Sequence, residues 1–174
     1  MLKPIAGILG ILLSLCVVPA SSRAEYFSNM RGGKGIEAQQ ASSKAFAGLA
    51  QVMTGLSTLE AASNADAKTH LMTAITTISE AAGDFQSLSE KNANVALEIK
   101  HPDALAELAQ TLEVSADRIA TVGDVWALTS QSLINTAKAL EDFTEDPTMD
   151  KYTALRISIE NTLRAGDLSS KLLE

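Results

Sequence analysis

Apolar residues recur along this chain at spacings of three and four over almost its whole length, the signature of helices with one buried face. Phe46, Leu49, Met53 and Leu56 share one stripe, which Ala45, Val52 and Leu59 widen. They predict a first helix from about Ile36 to Ala62. Ser63-Asn64-Ala65-Asp66 breaks the pattern and supplies side-chain oxygens that can cap the next helix. In the second helix Leu71, Ile75, Ile78, Ala82 and Phe85 alternate in steps of four and three. Leu88, Asn92, Val95 and Ile99 then continue that stripe in a shifted phase, which takes the expected helix to Lys100. His101-Pro102-Asp103 forms the next joint, since proline is disfavoured within a helix and welcome in its first turn.

The longest seam begins at Leu105. Leu108, Leu112, Ser115, Ile119, Val122 and Trp126 follow in strict alternation, and Thr129, Leu133, Thr136, Leu140 and Phe143 extend it. A single long third helix is the expectation, with Glu113-Val114-Ser115 as its weakest point. Glu145-Asp146-Pro147 closes it. Tyr152, Leu155, Ile159, Leu163, Leu168 and Leu172 then mark a fourth helix. Short joints make successive long helices antiparallel. The pattern therefore predicts an all-α fold, an up-down-up-down antiparallel four-helix bundle with long second and third helices. Residues 91–113 outrun the first and fourth helices. Either the bundle tapers there to a helical hairpin tipped by His101-Pro102, or the segment folds back and caps the body.

The first twenty-four residues follow a different rule. Lys3 precedes an uncharged apolar run from Ile5 to Val18, Pro19 ends it, and Ser22 and Ala24 place small residues where a signal peptidase reads. The run is shorter than the ~20 residues a spanning helix needs. The expectation is a secretory leader (1–24) cut before Glu25, a flexible lead-in (25–35) and one helical domain (36–174). It places the chain in a bacterial periplasm. Cys16, the only cysteine, lies within the leader. A lipid anchor at Cys16 is the alternative, but it wants a small residue where Leu15 stands. Beyond the leader there is neither a thiol nucleophile nor a disulfide.

Charge narrows the partners. The chain carries 14 basic and 21 acidic residues, a net charge of −7. Losing Lys3 and Arg23 with the leader makes it 12 − 21 = −9. Phosphate backbones and anionic lipid surfaces are thereby disfavoured.

Reactive constellations are sparse. Glu98-Ile99-Lys100-His101 matches one Glu-x-x-His, but His70 has Ala67 at the corresponding position, so a di-iron set is incomplete. His70 and Met72 are two apart and do not share a helix face with one another, and Met53 reads as core filler. Arg31-Gly32-Gly33-Lys34-Gly35 lacks phosphate-loop spacing. Glu141, Asp142, Glu145, Asp146 and Asp150 crowd one joint without the order of a calcium loop. No catalytic residue, metal or cofactor is expected.

What remains is a non-enzymatic exported protein working by contact: an accessory subunit, scaffold or spacer. Its partner would be another exported or envelope protein, or a second copy completing the seam as a homodimer. On the tapered arrangement Lys91, Val95, Ile99, His101, Pro102 and Leu105 are the contact candidates. The alternative is a sensor or carrier holding a small ligand between helices, with Trp126 as its platform. Expressed in a bacterium with its leader, the chain is expected to accumulate as a product beginning at Glu25. Intact-mass measurement checks this, and retention of residues 1–24 would contradict it.

Overall fold

The computed structural model describes residues 34–60 and 64–174. The expected leader with Cys16, the expected cleavage site and most of the expected lead-in lie outside the described residues. The fold is all-α. Among the described residues five helices follow in order: α1 (Lys34–Glu60), α2 (Asn64–Asn92), α3 (Pro102–Thr111), α4 (Val122–Glu145) and α5 (Met149–Leu172). A 3₁₀ turn at Ala116–Arg118 lies between α3 and α4. The described residues contain no strand, only one isolated antiparallel bridge between Ala96 and Thr121. Lys34 and Gly35, expected in the lead-in, already belong to α1.

Close packing runs α1 on α2, α2 on α4 and α4 on α5, with α3 laid on α5. Each of the packed pairs α1–α2, α2–α4 and α4–α5 is antiparallel. On α1 and α2, Gly48 lies against Ile78 while Gly55 lies against Leu71. Lys44 pairs with Asp84 at 2.6 Å and Lys91 with Glu37 at 2.9 Å along the same edge. Small residues make the approach close. Ala38, Ala41, Ala45, Gly48, Val52 and Gly55 recur at three and four, and all are buried. They face Leu71, Ala74, Ile78 and Ala81 in the main core. Of the expected face, Ala45, Leu49, Val52 and Leu56 are buried in the main core, but Phe46 is 43% exposed and Met53 only partly buried. Helix separation depends on the side chains at the contact, and glycine and alanine bring the axes nearest.

Two expected boundaries move. α2 ends at Asn92, not near Lys100, and the single long third helix is two helices. The reason for the second is local. After Leu112 the chain turns at Glu113, whose φ of 55° lies in the left-handed region. Val114 N–H returns to the Ala109 carbonyl at 2.9 Å, and Glu113 N–H to the Gln110 carbonyl at 3.3 Å. This is a Schellman stop with glutamate where glycine is usual. The heptad continued through the break because Leu112 and Ile119 stay apolar for another purpose. Ile119 joins Leu105, Leu108, Ala165, Leu168 and Leu172 in a second core beneath α3, against which Leu112 packs. Residues 93–121 therefore fold back on α5 and do not taper to a hairpin. Two backbone hydrogen bonds tie the ends of this excursion: Val122 N–H to Val95 O (2.8 Å) and Leu97 N–H to Ala120 O (3.0 Å).

A capping box starts α4. The Thr121 hydroxyl accepts from Asp124 N–H at 3.0 Å, and the Asp124 carboxylate accepts from the N–H groups of Thr121 (2.7 Å) and Ala120 (2.9 Å). Partial burial pushes the Asp124 carboxyl up, but the hydrogen bonds with Thr121 and Ala120 outweigh it and hold it below its ordinary 3.8. The depressed pKa means the charged form stabilises the fold above 3.8, and that contribution is lost as pH falls through the lower folded value. Asp124→Asn is expected to cost about 1 kcal/mol near neutral pH. The difference in Tm from the parent should shrink on acidification below 3.8.

The glycines give a second test. A Cβ at Gly48 would stand 2.6 Å from Ile78 Cγ1 and 3.1 Å from its backbone nitrogen, whereas one at Gly83 meets nothing within 4 Å. Gly48→Leu should destabilise by about 1–3 kcal/mol through overpacking. Gly83→Ala should stabilise by about 0.5–1 kcal/mol. Urea unfolding measures both.

Candidate functional site

Two helices in this fold carry a second row beside the main seam, of which Ala82, Ser130 and Ala137 are themselves buried where the helices meet. On α2 the buried positions Leu71, Ala74, Ile78, Ala81, Phe85 and Leu88 are flanked by Met72, Ile75, Ser79, Ala82 and Gln86, themselves spaced three, four, three and four. On α4, Trp126, Thr129, Leu133, Thr136 and Leu140 are buried. Ala127, Ser130, Ile134, Ala137 and Glu141 repeat the same spacing beside them. The two second seams meet because α2 and α4 are antiparallel neighbours: the Ser130 hydroxyl donates to the Ala82 carbonyl at 2.8 Å.

Between them runs a trough of about 660 Å³, lined by Ile75, Ser79, Ala82 and Gly83 on one wall and by Ile134, Ala137 and Lys138 on the other. Its floor is closed by small residues. Ser130 is buried and hydrogen-bonded, so it offers no free hydroxyl there. Gly83 leaves a gap in the α2 wall, while Ile134 stands 47% exposed on the α4 wall. Charge enters only at one end, with Lys138 and Glu141. The trough is thus apolar, elongated and open along its length. It presents neither a histidine nor a buried carboxylate for acid–base chemistry. What it can do is accept a ridge of apolar side chains.

The residues singled out from sequence fall elsewhere. Trp126 is 4% exposed and stacks on Phe85, with ring centroids 5.4 Å apart and planes at 26°. It packs the core between α2 and α4 and offers no face as a platform. The tip candidates do not form a tip. Leu105 is buried in the second core, which withdraws it from any contact role. Val95, Ile99, His101 and Pro102 are exposed or half-exposed along the folded-back segment. Lys91 pairs with Glu37 across α1 and α2. His70 and His101 lie on α2 and at the start of α3, and no group of three or more metal-ligating side chains occurs among the described residues. None of the described helices is long and apolar enough to cross a membrane.

Two other polar features lie inside. Between α4 and α5 a row of hydroxyls interlocks. Thr129 meets Ser169 at 3.0 Å, Thr136 meets Ser158 at 3.0 Å and Thr162 at 2.9 Å, and Thr162 donates to the Ser132 carbonyl at 2.8 Å. Asn92, buried at the end of α2, donates to the Leu88 carbonyl at 2.6 Å, and its Oδ1 has no hydrogen-bond partner. Set against protein-family models, curated proteins and solved structures, the chain matches none.

Sequence reasoning missed the trough because it ranked positions by the size of their side chains. Ile75 and Ala82 were already on the expected α2 seam; what was missed is the α4 wall, where Ile134 follows the expected seam position Leu133 by one residue.

Proposed function

We propose that this chain is a non-enzymatic exported protein whose four long helices make an up-down-up-down antiparallel bundle, and that it works by contact with other proteins through the α2–α4 face. A periplasmic location follows on this reading from the leader. The observation that carries it is the trough itself: apolar, nearly uncharged and flanked by Ile75, Ile134 and the exposed Met72. A soluble chain of this acidity has reason to cover such a surface, since burying apolar area contributes about 25 cal/mol per Å². The shape favours a protein over a small ligand. A small-molecule site encloses most of its ligand, whereas this trough lies open along two helices.

The accessory or scaffold role fits the same surface. Contact then passes through the side of the body, between α2 and α4, and not through the excursion at 93–121. The carrier reading loses its platform, because Phe85 covers Trp126.

A photo-crosslinking residue at Ile134 tests the face, with the same residue at Ile157 on α5 as control. Both isoleucines are 47% exposed, so exposure alone predicts equal labelling. Protein adducts through position 134 and few through 157 are expected in intact cells. Equal labelling, or none at either position, overturns the proposal.

A further inference from the structure

We infer that the excursion at 93–121 is a conformational device: folded back on α5 in this arrangement, it can release so that α3, the connection after it and α4 join into one continuous helix from Pro102 to Glu145. The inference stands apart from the α2–α4 face and does not depend on it.

Phase is the first argument. Leu105, Leu108 and Ile119 belong to the second core, and Leu112 packs against it. Trp126, Leu133, Leu140 and Phe143 belong to the main core, against which Val122 packs. Two helices that serve different cores across a turn have no need of a common phase. Here the three–four alternation passes from one set to the other without a skipped residue. A seam sustained in that way is what a single rod requires. The connecting residues permit it, since neither glycine nor proline occurs from Asp103 to Val122. Pro102 stands in the first turn, where a helix accepts it. The stop is Glu113, the one non-glycine residue with positive φ among the described residues. A side chain has a steric cost in that region that it does not have in a right-handed helix.

Hydrogen bonding is the second. In a continuous helix the N–H groups of Ala120, Thr121 and Val122 donate to the carbonyls of Ala116, Asp117 and Arg118. In the folded-back arrangement the Asp124 carboxylate accepts from Ala120 and Thr121, and the Val95 carbonyl accepts from Val122. The break is therefore an exchange of acceptors, and release leaves none of the three donors unpaired. The turn that begins at Asn92 is lost with it, which gives water access to the unpaired Oδ1 of Asn92.

Reach is the third. A Cβ on Gly123 would stand 2.8 Å from Ala93 Cα, so α4 begins beside the end of α2. In the rod Pro102 lies twenty-one residues beyond Gly123, about 31 Å at 1.5 Å per residue. The ten Cα steps from Asn92 to Pro102 must cover that length. Fully extended they span about 33–36 Å, so the connection closes with little to spare. Release uncovers Ala165, Leu168 and Leu172 on α5. The folded-back arrangement is for that reason the major state and the rod the minor one.

The test uses the full chain with Cys16→Ser, which leaves no native thiol, and spin labels at Glu107→Cys and Lys138→Cys. In the folded-back arrangement Glu107 pairs with Arg164. The Thr136–Thr162 bond sets Arg164 about one turn from the level of Lys138. Two helix separations then put the labelled positions roughly 20 Å apart, against about 46 Å in the rod. Pulsed electron-spin resonance should give the short distance with a narrow minor component near the long one. Thr121→Ala with Asp124→Ala removes the capping box and should raise that component at least about threefold. Glu113→Gly favours the left-handed stop over the helix and should lower it. The short distance alone in every chain overturns the inference, as does a long component indifferent to both changes. A broad spread of distances with falling helicity by circular dichroism means local unfolding, and overturns it too.

Discussion

The close approach of α2 to its two neighbours sets the terms for the rest of the molecule. Large side chains could not be accommodated at the crossing points. Gly48 admits Ile78, Gly55 admits Leu71, and on the other side Gly123 lies where a Cβ would stand 2.7 Å from the Ser89 carbonyl oxygen. With so few aromatics, the core is filled mainly by aliphatic side chains and alanine pressed together, and dispersion at short range supplies what side-chain bulk does not. That choice has a consequence for the outer surface. Helices drawn together by small residues leave little side-chain bulk to fill the groove on their far side. The trough between α2 and α4 is the outer counterpart of the tight packing beneath it.

The α4–α5 pair is built on another principle. Here Thr129, Thr136 and Thr162 are buried and interlock with Ser158, Ser169 and the Ser132 carbonyl. Each neutral hydrogen bond contributes only about 1 kcal/mol net. Their larger effect is on alternatives, because sliding α5 by one turn would leave several buried hydroxyls unpaired at once. α5 is thereby fixed in register, and its second apolar face, with Ala165, Leu168 and Leu172, is held where α3 can cover it. Glu107 and Arg164 add an ion pair at the margin of that cover, which counts for little at an exposed site.

The helical class and most of the seam were legible from spacing alone. Leu71, Ile78, Phe85, Leu133, Leu140 and Leu155 lie in the core. The fold-back was only half legible. The heptad from Leu105 to Phe143 reads as one rod, yet it is shared between two cores, and periodicity does not record which neighbour a residue faces. Glu113 is the instructive residue. Glycine at that position would have announced the stop, whereas a glutamate in the left-handed region gives no such notice. On α1 the error had the opposite source. Phe46 and Met53 were placed on the face because they are large, while Ala38, Ala41, Gly48 and Gly55, small and unmarked, hold the tighter contact. For the candidate site, Trp126 attracted attention as the lone tryptophan, and Phe85 had already claimed its ring face.

Why the α2–α4 groove stays uncovered by the chain itself follows from where the remaining elements go. α1 takes the face of α2 that carries Thr77, Glu80 and Asp84, through Gln51 and Lys44. α5 takes the hydroxyl face of α4, and α3 is committed to α5. No described helix is left for the second seam. A surface without a purpose would be expected to drift toward the charged residues that dominate the exposed faces elsewhere. Instead Met72, Ile75, Ala82, Ile134 and Ala137 keep an apolar register on two helices at once, the polar members Ser79, Ser130 and Gln86 carry no charge, and the charged pair Lys138 and Glu141 stands at one end. Ala82 and Ala137 lie in the main core and Ile75 packs against it, so the register joins α2 to α4, and its outward apolar members are Met72 and Ile134, 55% and 47% exposed.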